Sequence, residues 1–371
     1  MNRESGSGLK YIDEYRDAGL GKRLVERIRR RITRPVRLME FCGGHTVTIF
    51  KHGIRQLLSP VIEMLSGPGC PVCVTAANDL DKAIALSRLS GVIVATFGDM
   101  VRVPGSRSSL QQAKAEGGDV RIVYSAQDAL NIARENPAKS VILIGIGFET
   151  TAPTIAASVL EAARDKIENY YVLSLHKLCP PVIKAILDSG EVKLDGIILP
   201  GHVSAVIGSS PYGFIPRDYG IACAVSGFEP LDVLQCVDML VSQIEKGQPA
   251  VEVAYSRGVK PEGNRRAIEI MEQVFEVADA EWRGIGKVPR SGLALRKEFQ
   301  RFDAGRAFQV DISPEKGPVG CICGDVLRGV KTPPECILFG QACRPEHPVG
   351  PCMVSSEGSC AAYYRYGDAG G

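Results

Sequence analysis

Eight short runs of apolar, β-rich residues recur between residues 36 and 227, and amphipathic segments separate them. The runs are 36–42 (VRLMEFC), 61–66, 91–98, 120–125, 140–147 (SVILIGIG), 170–175, 196–200 and 221–227. Several are apolar almost throughout, as strands covered on both faces should be. Between them, NDLDKAIALSRLS, AQDALNIARENP and PTIAASVLEAARDKI carry apolar residues at helical spacing. Such alternation implies parallel sheets built from βαβ units. Eight strands are many for one sheet, so the expectation is α/β with two Rossmann-like domains, 36–165 and 166–250. Beyond residue 250, PEGNRRAIEIMEQVFEVADAEW reads as one long helix, and glycine, proline and cysteine then become frequent. A third, helical and loop-rich domain over 251–371, joined by residues 1–35, is expected there.

Charge and hydropathy exclude several partners. With 44 basic and 42 acidic residues the net charge is +2, which makes no electrostatic case for nucleic acid. The longest apolar runs are too short to span a bilayer, and MNRESGSGLKYIDEYRD contains no secretory signal. A cytoplasmic location is expected. Thiols stay reduced there, so the twelve cysteines do not read as a disulfide scaffold. Cys179, Cys223 and Cys236 stand singly among apolar neighbours and read as small buried hydrophobes.

The glycine-rich peptides nearly all follow a strand: CGGHT, GPGCPVC, FGDMVRVPG, GFETTAPT, HKLCPP, GHVSAVIG and GFEPLD. Ligands of open parallel sheets bind outside the carboxyl ends of the strands. Tight turns account for the glycines, but not for Cys42, His45, Cys70, Cys73, Asp99, Glu149 and His202 recurring in these loops. A cleft between two sheets is the expected site.

Within it, Cys42 and His45 flank a Gly-Gly turn and offer a thiolate and an imidazole to a soft metal such as iron. A helix starting near Thr46 should lower the Cys42 pKa; the competing reading is a buried cysteine beside a capping turn. Cys70-Pro-Val-Cys73 has the spacing of a dithiol–disulfide couple, its first thiol acidified by a helix start. A metal clamp there would need two more ligands. Asp99 and Glu149 are candidate cleft acids, although a lone carboxylate beside glycine also serves as a turn cap. GIGFETT has two of the three glycines of a dinucleotide fingerprint and no suitable acid downstream, so that reading is rejected.

Six cysteines crowd into residues 321–360. Cys323, Cys336, Cys343 and Cys360 are widely and unevenly spaced, which suits a [4Fe-4S] cluster better than zinc held by two C-x-x-C knuckles. Zinc and incidental thiols remain alternatives on spacing alone.

Taken together, FCGGHT, GPGCPVC, FGDMVRVPG, GFETTAPT, PGHVSAVIG, SGFEPLD and the tail CGDVL…PPEC…MVSSEGSCAAYY resemble the HypD family of [NiFe]-hydrogenase maturation factors, in order, over residues 36–366. The resemblance implies two similar α/β domains and a third carrying a cluster. It implies a scaffold that works with the small chaperone HypC, receives cyanide from HypE and holds the Fe(CN)₂CO unit before transfer to the hydrogenase large subunit. By the same resemblance Cys42 is the iron ligand with His45 beside it, Cys70 and Cys73 are the redox pair, and Cys323, Cys336, Cys343 and Cys360 hold the cluster. Many members carry a second histidine where this chain has Val47, and Cys321 and Cys352 stand outside the four-cysteine pattern. A free-standing iron-sulfur thiol oxidoreductase, which would not need Cys42, is the alternative function. A zinc-stabilised α/β binding protein is a third.

Overall fold

The computed structural model describes residues 13–312 and 319–367. All eight expected strands form: β1 (Val36–Glu40), β2 (Ile62–Ser66), β3 (Val92–Thr96), β4 (Asp119–Ile122), β5 (Ser140–Gly145), β6 (Tyr170–Ser174), β7 (Gly196–Pro200) and β8 (Ala222–Ser226). A ninth, β9 (Val251–Val253), follows. They make two wholly parallel sheets, ordered β2-β1-β7-β8-β9 and β4-β3-β5-β6.

The helices in chain order are α1 (Ala18–Arg31), α2 (Gly43–Lys51), α3 (Ile54–Leu58), α4 (Pro71–Val74), α5 (Ala77–Ser87) and α6 (Leu110–Ala115). They continue with α7 (Ala126–Glu135), α8 (Ala152–Arg164), α9 (Cys179–Ser189), α10 (Gly201–Ile207), α11 (Pro230–Lys246) and α12 (Arg265–Val274). Both sheets are covered on both faces. One face of the first packs on α1, α3 and α11 through Val25, Ile28, Ile54 and Leu234. Its other face meets α9 and α10 through Ile197, Ile183 and Val203. The second sheet lies between α7, α8 and α12 on one side and α5 and α6 on the other. Full burial of β3, β7 and β8 explains why their sequences lack polar alternation.

The sheets do not divide the chain at residue 165. The chain lays down β1 and β2, leaves to build the entire second sheet, and returns with β7 to pair beside β1. The second α/β unit is therefore an insertion, and the expected boundary falls between β5 and β6, which pair with each other. Nor do the amino-terminal residues join the tail: α1 lies on α11 and the first sheet. Of the segment 1–35, residues 1–12 lie outside the described residues. β9 likewise belongs to the first sheet rather than to a third domain.

The long helix expected from residue 262 stops at Val274. From Phe275 the chain becomes β10 (Phe275–Trp282), which pairs antiparallel with β11 (Gly286–Leu295). The apolar side chains of FEVADAEW recur at every second position from Phe275 to Val277 and from Ala278 to Trp282, and a strand uses that period. The tip of this hairpin reaches α4: the Arg283 N–H donates to the Val74 carbonyl at 2.8 Å, and its guanidinium to the Thr75 carbonyl at 2.9 Å. The described residues of the remaining tail form short helices, the longest being Ser359–Tyr366, and hold the cysteine-rich region.

Candidate functional site

β1 ends at Glu40, and two residues later Cys42 caps α2 in an extended conformation. Its carbonyl accepts the N–H groups of His45 and Thr46 at 2.9 and 3.1 Å, and its thiol faces the N–H groups of Gly44 and His45. Gly43 is required by close approach, since a Cβ there would lie 2.5 Å from Glu357 Cβ. The helix start does not acidify the thiol, contrary to the sequence expectation. Burial, with Glu357 and Glu40 nearby, pushes Cys42 up to about 12 and outweighs the two N–H groups.

His45 is buried. Its Nε2 donates to the Gly227 carbonyl at 3.0 Å, which leaves Nδ1 as a lone-pair nitrogen with no partner. Burial lowers its pKa to about 4, so the ring is neutral at physiological pH. Phe228 is stacked between His45 and His202, with ring centroids 4.8 and 3.8 Å away. His202 itself is exposed.

The loop after β2 crosses directly beneath Cys42. A Cβ on Gly69 would sit 2.3 Å from the Cys42 nitrogen, and the Gly43 N–H donates to the Gly69 carbonyl at 3.1 Å. Cys70 then caps the single turn α4, accepting from the Cys73 N–H at 3.3 Å, and the two sulfurs are 2.6 Å apart. Both are buried, and burial pushes the Cys73 thiol well up.

The second sheet contributes Asp99 and Glu149. Asp99 lies on the turn after β3 and acts on Glu357, which in turn acts on Cys42. Glu149, after β5, is buried; its Oε1 accepts the Cys179 N–H at 2.9 Å, while Oε2 has no partner. Burial raises it to about 7. Cys179 opens α9 and lies within electrostatic reach of both Glu149 and Cys42.

Cys321, Cys323, Cys336, Cys343, Cys352 and Cys360 all line one small apolar pocket. Cys323 and Cys352 sulfurs approach to 2.8 Å, and Cys352 also touches the Cys73 thiol. The dithiol and the cysteine-rich pocket therefore share a wall. As the side chains stand, no group of three or more His, Cys, Asp or Glu among the described residues is arranged to hold a metal ion.

The HypD family model, described as the hydrogenase formation hypA family, matches residues 20–367. The hydrogenase expression/formation protein HupD of Azotobacter chroococcum is 47% identical over 368 residues, 97% of each chain. The hydrogenase maturation factors HypD of Rhodobacter capsulatus and Escherichia coli are 45% and 43% identical, covering 97% and 96% of this chain and 99% and 98% of their own lengths. The chain belongs to the HypD family. It is thus a hydrogenase maturation factor by family, and none of its helices, among the described residues, is long and apolar enough to cross a membrane.

Three residues of this HypD-family site escaped the sequence reading. Glu40 is buried with its carboxylate on the Cys42 N–H; a lone acid closing the apolar run VRLMEFC was the available signal. Glu357 reaches Cys42 from the tail, and no local pattern announces it. Cys179 is buried, as expected of a small hydrophobe, and it also faces Cys42.

Proposed function

We propose that this protein is the scaffold on which the Fe(CN)₂CO unit of [NiFe]-hydrogenase is assembled, with Cys42 as its iron anchor. In this reading it acts in complex with HypC, receives cyanide from HypE and hands the iron unit on to the large subunit. The observation that carries the reading is the surroundings of Cys42. The Cys42 thiol lies within electrostatic reach of Glu40 and Glu357, and His45, three residues on, is a neutral imidazole whose Nδ1 is unpartnered. That environment disfavours an uncompensated thiolate and favours one neutralised by a bound cation. We assign supporting roles around Cys42 to His45, Asp99, Glu149 and His202, which stand on the segments that follow the strands.

Six converging thiols suit a [4Fe-4S] cluster by the chemistry of the donor set. When bound, such a cluster supplies one-electron exchange. The Cys323 and Cys352 sulfurs are 2.8 Å apart, so only one of the two would serve it. Cys323, Cys336, Cys343 and Cys360 would hold the cluster, and Cys352 would stand between it and the Cys70–Cys73 dithiol.

The alternative, a free-standing oxidoreductase acting on a protein disulfide, has the dithiol in its favour. However, such chemistry needs an accessible attacking thiol, and Cys70 and Cys73 are 4% and 0% exposed. Their enclosure supports an internal role. The deciding experiment is Cys42→Ala in cells lacking the native protein. Hydrogenase maturation should be abolished while the cluster absorption and the fold persist; maturation at the wild-type level would place the iron elsewhere.

A further inference from the structure

Glu40 and Ser66 are paired at the carboxyl ends of adjacent strands, β1 and β2, and each strand leads into one of the thiol loops. The Glu40 carboxylate accepts the Cys42 N–H at 2.8 Å and the Thr46 hydroxyl, and it lies within electrostatic reach of the Ser66 hydroxyl. Its backbone carbonyl accepts the Gly67 N–H at 2.8 Å. One buried residue thus fastens the Cys42 turn and the first turn of α2 by its side chain and the start of the loop carrying Cys70 by its backbone carbonyl. A few residues on, the same loops meet again, through the Gly43-to-Gly69 hydrogen bond and the backbone contact of Gly69 with Cys42. Gly69 is bonded directly to Cys70. Any displacement of Cys70 is therefore delivered through one peptide unit to the backbone of Cys42.

We infer that Glu40 is a positioning residue that couples the redox state of Cys70–Cys73 to the exposure and geometry of Cys42. The inference rests on reading Cys70 and Cys73 as a redox pair. When the pair closes, each thiol loses its proton, two electrons leave, and a Sγ–Sγ bond forms. The Cys70 backbone and the Gly69 carbonyl shift with it. Glu40 keeps the two loops moving as one body instead of letting the Gly69–Gly43 contact absorb the motion. When ionised, the carboxylate suits this task because it accepts from both the Cys42 N–H and the Thr46 hydroxyl. Glutamine in its place presents an NH₂ group to one of those donors, which opens the clamp on that side without changing its size.

The test uses the full chain, purified without oxygen and equilibrated in glutathione buffers, exchange with the enclosed pair proceeding through transient local opening, until intact-mass measurement shows the pair closed in the oxidised poise. Oxidised glutathione takes the two electrons and both protons and leaves as two molecules of the thiol. The alkylation rate of Cys42 by iodoacetamide is read by mass spectrometry of its peptide. In the wild type it should differ by about fivefold or more between the two poises, the lower end of ordinary coupling between sites. Cys73→Ser, which cannot close the pair, should show no dependence on poise. Glu40→Gln should lose most of the dependence while both thiols remain. If Glu40→Gln does not fold, Ser66→Ala replaces it, because it removes one hydroxyl and leaves the carboxylate in place. A wild-type rate indifferent to poise overturns the inference. So does a full difference persisting in Glu40→Gln or, where that variant does not fold, in Ser66→Ala. Neither iron nor a partner enters the assay, so its failure is distinguishable from failure of the assembly reading.

Discussion

Gly69→Ala tests how closely the two thiol loops are packed. The added Cβ would lie 2.3 Å from the Cys42 nitrogen, 2.4 Å from the Phe41 carbonyl carbon and 2.5 Å from Cys42 Cα. All three neighbours are backbone, so no side chain can rotate away. Ordinary contact requires the loops to part by about 1 Å. That movement breaks the 3.1 Å bond from the Gly43 N–H to the Gly69 carbonyl. Overpacking of this kind costs about 1–3 kcal/mol, and the lost hydrogen bond about 1 kcal/mol more. A total of about 2–4 kcal/mol corresponds to a fall in Tm of about 3–5 °C in a chain of this size. Gly98→Ala is the matched control: it lies on the turn after β3, also at the carboxyl end of a strand, and a Cβ there meets nothing within 4 Å. It should change stability by less than about 0.5 kcal/mol. Scanning calorimetry of both variants, with Cys42 alkylation as the local probe, decides the matter. Equal Tm and equal Cys42 reactivity in the two variants would refute the close crossing of the loops.

Cys336→Ala should bleach the visible absorption of the cluster, whereas Cys352→Ala should retain it; iron and sulfide analysis checks both. Glu149 is raised to about 7 by burial, above its ordinary 4.5, so the folded chain holds its proton through that window. Stability from this group is present below about pH 4.5 and is lost as pH rises through about 7, so Glu149→Gln should gain roughly 3 kcal/mol on the wild type between pH 5 and 8.5. A difference in urea midpoints that stays constant across pH would contradict that. Trp282 is buried, and its indole N–H donates to the Ser291 hydroxyl at 2.7 Å. Ser291→Ala should therefore cost about 1–3 kcal/mol in denaturant unfolding by stranding that donor.

The strands were legible because residues buried on both faces leave an unbroken apolar run, as in SVILIGIG. Which sheet each strand joins was not, because an apolar run does not encode its neighbour; β7 carries no mark that sends it back to β1. The glycine loops correctly marked the carboxyl ends of the strands, where Cys42, Cys70, Asp99 and Glu149 now stand. The electrostatics were less legible. A helix start after Cys42 argued for a low pKa, but depth and the carboxylates of Glu357 and Glu40 reverse the sign, and depth is a tertiary property. The meeting of Cys73 with Cys352 is tertiary too, since it joins residues 73 and 352 across both sheets' connections. Glu40 could have been read: a carboxylate in an apolar strand requires donors, and the strand ends beside the first cysteine.

The proposed scaffold function requires that Cys42 anchor an iron carrying cyanide and carbonyl ligands. Infrared spectroscopy of the protein purified anaerobically with its small partner tests this most directly. The wild type should show cyanide and carbonyl stretching bands that move on isotopic labelling of the ligands, and Cys42→Ala should lack them while keeping its cluster absorption. Bands of wild-type strength in Cys42→Ala would contradict the claim.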